Sequence, residues 1–177
     1  MLNTINYKSA ISRFICLLLV LMWTYVVLSK WSDADLFRVQ LGRQPVPASW
    51  VPVLFYALPG SELTIACLIA YRPSRLYGLR ASLLLMCCFT MYVALALTNN
   101  IWEHRPCACG GILSHMGWRT HLWFNLIVTL SNAAAIYFQK TIRIHQRQKS
   151  GENSRSGLAG QKAKHKFYFF TKVFRTF

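Results

Sequence analysis

Acidic side chains are scarce in this sequence: Asp and Glu number five among 177 residues, against twenty Lys and Arg, for a formal charge of +15. So few carboxylates leave little from which to build a hydrolytic centre, and none flanks a serine suited to act as a nucleophile. Charge of either sign is thin as well, 14% of residues, where a soluble globular domain carries about a quarter. There is no glycine-rich phosphate loop, no nucleotide-binding glycine motif and no internal repeat, which argues against ATP-driven transport. One carboxylate within the apolar runs and no recurring polar rings argue against a channel. What is abundant is hydrocarbon, with 54% of residues drawn from AVILMFWYC. A nucleic-acid binder interleaves its Lys and Arg with the fold, whereas here short basic segments separate long apolar runs. A membrane protein is expected, with the lipid bilayer rather than nucleic acid as its surroundings.

A spanning helix needs roughly 20 mostly apolar residues at about 1.5 Å rise each. Four runs satisfy this, at about 11–29, 50–71, 76–97 and 118–139, each with Trp or Tyr near at least one end as an interfacial anchor. The connections between them are short, so the expected fold is all-α: an integral membrane four-helix bundle of antiparallel neighbours over residues 1–140. Residues 141–177 form a basic tail whose Ser150, Gly151, Ser154, Ser156, Gly157 and Gly160 suggest a flexible stretch.

Orientation follows from the basic residues. Fifteen of the twenty Lys and Arg fall on the side holding Lys8, Arg13, Arg72, Arg75, Arg80 and the tail. The positive-inside rule then puts both termini in the cytoplasm of a bacterial inner membrane, a choice that leans on Lys140, Arg143, Arg147 and Lys149 close to the last span. The first run also has the charged start of a signal peptide. Its exit at Leu28-Ser29-Lys30-Trp31 makes a poor cleavage site, so it is read as a retained span.

Depth then sorts the cysteines. Cys16, Cys67, Cys87 and Cys88 fall within spans, where a thiol acts as a small apolar side chain. Cys107 and Cys109 fall in the loop between the third and fourth spans, which the charge distribution assigns to the oxidising side. In Arg105-Pro106-Cys107-Ala108-Cys109-Gly110-Gly111 the two thiols can close a small, strained ring, and strained exposed disulfides are the readily exchanged ones. Arg105 and His104 favour a thiolate nearby. A permanent structural disulfide, inert thiols, and a zinc or copper(I) site completed by His104, His115 and His121 are the competing readings. The spacing matches no common zinc pattern, and exchange chemistry is favoured.

Polar residues inside the spans form a second group. Glu62 follows Pro59 and Gly60 midway through the second span, where an ionised carboxylate needs a partner or a proton. Pro59 cannot donate to the helix ladder, so space for a ligand or polar neighbour can open there. Lys30, at the end of the first span, either reaches inward to Glu62 or snorkels outward. In the fourth span His121, Asn125 and Asn132, with Thr129 alongside, share one stripe that should face the bundle. His121, one turn from the cysteine loop, is the group best placed to shuttle protons for thiol chemistry.

Taken in order, Leu28-Ser29-Lys30, Phe37-Arg38-Val39-Gln40-Leu41, Pro59-Gly60-Ser61-Glu62, Pro106-Cys107-Ala108-Cys109-Gly110-Gly111, and Trp118 with His121 and Asn125 resemble the MauE branch of the DoxX-like membrane proteins over about residues 10–140. The resemblance implies a four-helix inner-membrane protein associated with thiol redox and with methylamine utilisation, in which a disulfide-rich dehydrogenase subunit matures in the periplasm. It adds a periplasmic redox or client protein as partner.

Two functions stay open on these grounds. In one, Cys107 and Cys109 cycle between dithiol and disulfide, served by His121 and Glu62, with a membrane quinone as a candidate electron carrier. In the other, the protein is a noncatalytic assembly or export factor whose cysteine loop is a clip; metal handling is a third, weaker option. The tail end, from Lys166 to Phe177, mixes six aromatic residues with basic ones. It is too short to span, and is expected to adhere to anionic lipid headgroups.

Overall fold

Hydrocarbon length dictates the architecture, and helices are the element that satisfies every backbone polar group within such long apolar runs. A computed structural model of the chain describes the backbone of residues 2–44, 46–98 and 117–174, and the side chains of 6–44, 46–98 and 117–151. Among the described residues the elements are α1 (Leu2–Ser32), α2 (Ala34–Gly42), a 3₁₀ turn at Ala48–Trp50, α3 (Val51–Ala70), α4 (Arg75–Leu97) and α5 (Trp118–Phe174). Among the described residues, four stretches are long and apolar enough to cross a membrane: Asn6–Ser32, Ala48–Ala70, Arg75–Leu97 and Trp118–Gly151. The fold is an all-α, membrane-spanning four-helix bundle.

Two boundaries differ from the sequence expectation. The first helix starts nine residues earlier, at Leu2, and the fourth does not stop at Gln139 but is helical to Phe174. Residues 140–149 contain no Gly or Pro and are rich in Lys, Arg and Gln, all good helix formers, so nothing local ends the ladder at the apolar boundary. By its internal contacts the chain divides into two units, Met1–Gln139 and Lys140–Phe177.

Within the first unit each spanning helix is apolar all round, so burial rather than hydropathy reveals its inner face. On α1, Ser12, Cys16, Leu19, Trp23, Val26 and Lys30 are buried, at steps of three and four residues. Phe14, Leu17, Leu21, Leu28 and Trp31 are exposed on the outer faces, where lipid solvates them. The core joins Cys16, Leu19 and Trp23 to Ile65, Ala66 and Ile69 of α3, Leu79 and Met86 of α4, and Ala135 of α5.

Hydrogen bonds between helices fix one half of this bundle. Trp23 Nε1 donates to Ser82 Oγ (2.9 Å). The Asn132 amide, oriented to satisfy its neighbours, accepts from Ser82 Oγ (2.7 Å) and Leu83 N (3.0 Å) and donates to the Leu79 carbonyl (3.2 Å). Gln139 Nε2 donates to Ser12 Oγ (3.1 Å), tying α5 to α1. The α3–α4 hairpin is close at the same end. A Cβ on Gly78 would lie 2.7 Å from Ile69 N and 2.8 Å from the Leu68 carbonyl carbon, so only glycine admits this approach. The final carbonyls of α3 are occupied there, Leu68 by Ser74 Oγ (3.0 Å) and Ile69 by Arg75 Nε (3.0 Å).

Candidate functional site

The opposite half, where α1 finishes and α3 begins, holds the charged pair. Lys30 and Glu62, 2% and 0% exposed, form an ion pair through Nζ and Oε1. Of the two fates the sequence allowed for Lys30, the inward one is realised. Taking two charges out of water costs several kcal/mol each, so such a pair survives only when the partners compensate one another.

The sequence supplies further support through α2, an element the spans alone did not reveal. Asp33 caps it, accepting from Leu36 N (3.3 Å), and its apolar side chains Phe37 and Leu41, four residues apart, are both 2% exposed. Lys30 Nζ lies 5.5 Å from the Phe37 ring centroid and 6.0 Å from that of Phe89 on α4, so the ammonium meets two aromatic faces as well as the carboxylate. Phe37 in turn lies 5.5 Å from Phe55 of α3, between centroids.

Glu62 Oε2 is different. It is buried and accepts no hydrogen bond from any described residue. An ionised carboxylate can accept on both oxygens, so half of this group's capacity is unused by the described residues.

Beside the pair is a cavity of about 400 Å³. Residues of every described helix line it: Met22, Trp23 and Val26 of α1, Leu41 of α2, Leu54 and Leu58 of α3, Met86 and Phe89 of α4, and Phe124 of α5. Its polar groups are Lys30, Glu62, Gln44, Tyr92, His121 and Asn125. The Tyr92 hydroxyl donates to Gln44 Oε1, joining α4 to the segment after α2. Leu54, Leu58 and Glu62 recur every four residues, so α3 presents one ladder to the cavity. Pro59 is buried next to that ladder and leaves one carbonyl of the preceding turn without its helical donor.

The structure thus brings together two of the four residues singled out from the sequence, Glu62 and His121, in the wall of one cavity. His121 and Asn125 are 3% and 5% exposed, and the third member of their stripe, Asn132, is fully buried one half-bundle away against Ser82. Thr129, alongside, donates to its own helix at the Asn125 carbonyl (2.7 Å) and lies 3.4 Å from Thr90 Oγ1 of α4. Cys107 and Cys109, with His104, Arg105 and His115, lie outside the described residues. Among the described residues no three His, Cys, Asp or Glu side chains gather as a metal site would require. Of the span cysteines, Cys16 is buried in the core while Cys67, Cys87 and Cys88 are exposed.

Gln44, Tyr92 and Phe37 were not anticipated as site residues. Phe37 and Leu41 carried a signal in their spacing behind Asp33; Gln44 and Tyr92, 48 residues apart, carried none.

The profile of the family described as methylamine utilisation protein MauE covers residues 8–138. No curated protein and no solved structure matches the chain. The matched region takes in all four spans up to Phe138, the Lys30–Glu62 pair and every residue lining the cavity, and the chain belongs to the MauE family of multi-pass membrane proteins.

Proposed function

We propose that this protein is a membrane thiol/disulfide redox protein that exchanges electrons or disulfides with periplasmic partners through Cys107 and Cys109. Both termini face the cytoplasm of a bacterial inner membrane, and the family's name points to maturation of a methylamine-dehydrogenase-like client. The observation that carries the reading is the sequence Arg105-Pro106-Cys107-Ala108-Cys109-Gly110-Gly111, a paired-thiol segment between α4 and α5. It is supported by a buried charged pair, an imidazole and a largely apolar cavity in the half of the bundle to which that segment connects.

The chemistry balances in two steps. A client dithiol attacks the Cys107–Cys109 disulfide; the client's S–S bond forms, the protein's breaks, and two thiols are left on the protein. Those thiols then close again, passing two electrons and two protons to a membrane quinone, whose carbonyls become hydroxyls. His121 is the proton carrier, and Glu62 holds the charge of Lys30 at the cavity wall. The basic, aromatic tail adheres to anionic headgroups on the cytoplasmic side.

The test is alkylation of intact spheroplasts with a membrane-impermeant thiol reagent, before and after reduction, together with a Cys107→Ser variant. Labelling of Cys107 and Cys109 only after reduction, and mixed disulfides trapped through Cys109, are expected. Labelling only after the membrane is breached refutes sidedness and redox role together. Lower abundance of the serine variants without any trapped partner favours the noncatalytic clip instead.

A further inference from the structure

We propose that the cavity beside Lys30 and Glu62 binds the reduced form of a membrane quinone, a neutral lipid-soluble aromatic diol, with one ring hydroxyl donating to Glu62 Oε2. The purpose of the site rests on the thiol redox reading, but its residues are separate from Cys107 and Cys109.

Four properties of the cavity select this class of molecule. Its volume, about 400 Å³, lies within the range of small-molecule sites, roughly 300–1,000 Å³. Its wall of Met22, Val26, Leu54, Leu58, Met86 and Phe89 is hydrocarbon and thioether, so the occupant is one that partitions from lipid. Lys30 and Glu62 cancel in charge, so an occupant with a net charge would be desolvated without compensation, which excludes free amines and carboxylates. Glu62 Oε2 is a buried acceptor that no described residue serves, and leaving such an acceptor unmet is costly, so the occupant supplies a donor.

A plain hydrocarbon or acyl chain meets the second property and fails the fourth. A phenolic ring meets all of them. Phe89, Phe124 and Trp23 offer aromatic faces for it. The wall is polar at a second place as well, where Asn125 lines the cavity. Its side-chain amide offers a donor and an acceptor to a second oxygen on the same ring. A diol of this kind is what a quinone becomes on taking up two electrons and two protons.

The experiment uses the full chain in nanodiscs of zwitterionic lipid. It is titrated anaerobically with a short-chain benzoquinol and, separately, with the dimethyl ether of the same quinol, which keeps the ring but has no hydroxyl donor; binding is read by equilibrium dialysis. The quinol is expected to bind saturably, one per chain, and the ether about tenfold more weakly or worse. In the double variant Lys30→Met with Glu62→Met, which removes the acceptor without stranding a charge, the two ligands should bind alike, at the ether's affinity. Leu58→Trp, which fills the cavity, should abolish both. Equal binding of quinol and ether to the unaltered protein, or saturation by neither, overturns the proposal even if the double variant fails to fold. The variant Cys107→Ser with Cys109→Ser should keep the unaltered quinol affinity. Quinol selectivity without any trapped disulfide partner defeats the thiol reading alone, and trapped partners without quinol selectivity defeat this one alone.

Discussion

Removing either partner of the Lys30–Glu62 pair should cost far more than removing both. Glu62 is fully buried and Lys30 is 2% exposed, so neither charge can recover its hydration when the other is lost. Breaking a buried pair costs about 3–5 kcal/mol, whereas replacing both partners by apolar residues of similar volume is often neutral. The two single variants should not be equal. In Glu62→Gln the ammonium keeps an amide oxygen and the Phe37 and Phe89 faces at 5.5 and 6.0 Å. In Lys30→Met the carboxylate keeps nothing, because Oε1 loses its partner and Oε2 has none among the described residues. Lys30→Met is therefore expected at the upper end of that range and Glu62→Gln at the lower end. The double variant Lys30→Met with Glu62→Met should lie within about 1–2 kcal/mol of the unaltered protein. The assay is reversible unfolding by sodium dodecyl sulfate in mixed micelles, with the coupling energy taken from the full double-mutant cycle. Single variants that each cost under about 1 kcal/mol, or a double variant whose cost equals their sum, would refute the reasoning from burial.

Three further outcomes are expected. Gly78→Ala should destabilise by about 1–3 kcal/mol in the same unfolding assay, because its methyl meets backbone atoms of Leu68 and Ile69 that no rotamer change can move. Asn132→Leu should cost about 1–2 kcal/mol, since it leaves Ser82 and the α4 backbone without the amide that now serves them; a cost near zero would mean that this network does not hold α4 to α5. With a lipid-soluble maleimide and folded protein in membranes, Cys67 and Cys87 should react while Cys16 is protected until denaturation; peptide mass mapping reads the difference.

The spans were legible because hydrocarbon length is a local property of the chain, and so was the inner face of α5. His121, Asn125 and Asn132 are the polar exceptions on an apolar helix, and lipid gives them nowhere else to turn. On α1 the same reasoning had less purchase. Leu19 is buried and Leu18 is not, and nothing in two adjacent leucines distinguishes them. Lys30 had two physically sensible fates, and the choice between them rests on Phe37, Phe89 and Glu62 arriving from three other helices. The α2 helix was hidden by its shortness, nine residues within what reads as a connection. The cavity could not be read at all, since a void is made by what five helices fail to fill. The end of the fourth helix was placed at the apolar boundary, where the hydropathy changes but the helix propensity does not.

Within the first unit, the tight glycine contact at the α3–α4 turn and the Ser82–Asn132 hydrogen bonds involve no residue of the cavity wall, whereas Trp23 belongs to both, lining the cavity and donating to Ser82. Close packing and capacity are thereby carried largely by different residues of the same helices. Leu54 and Leu58 of the wall take no part in those contacts, so the choice of guest can change at small cost to folding.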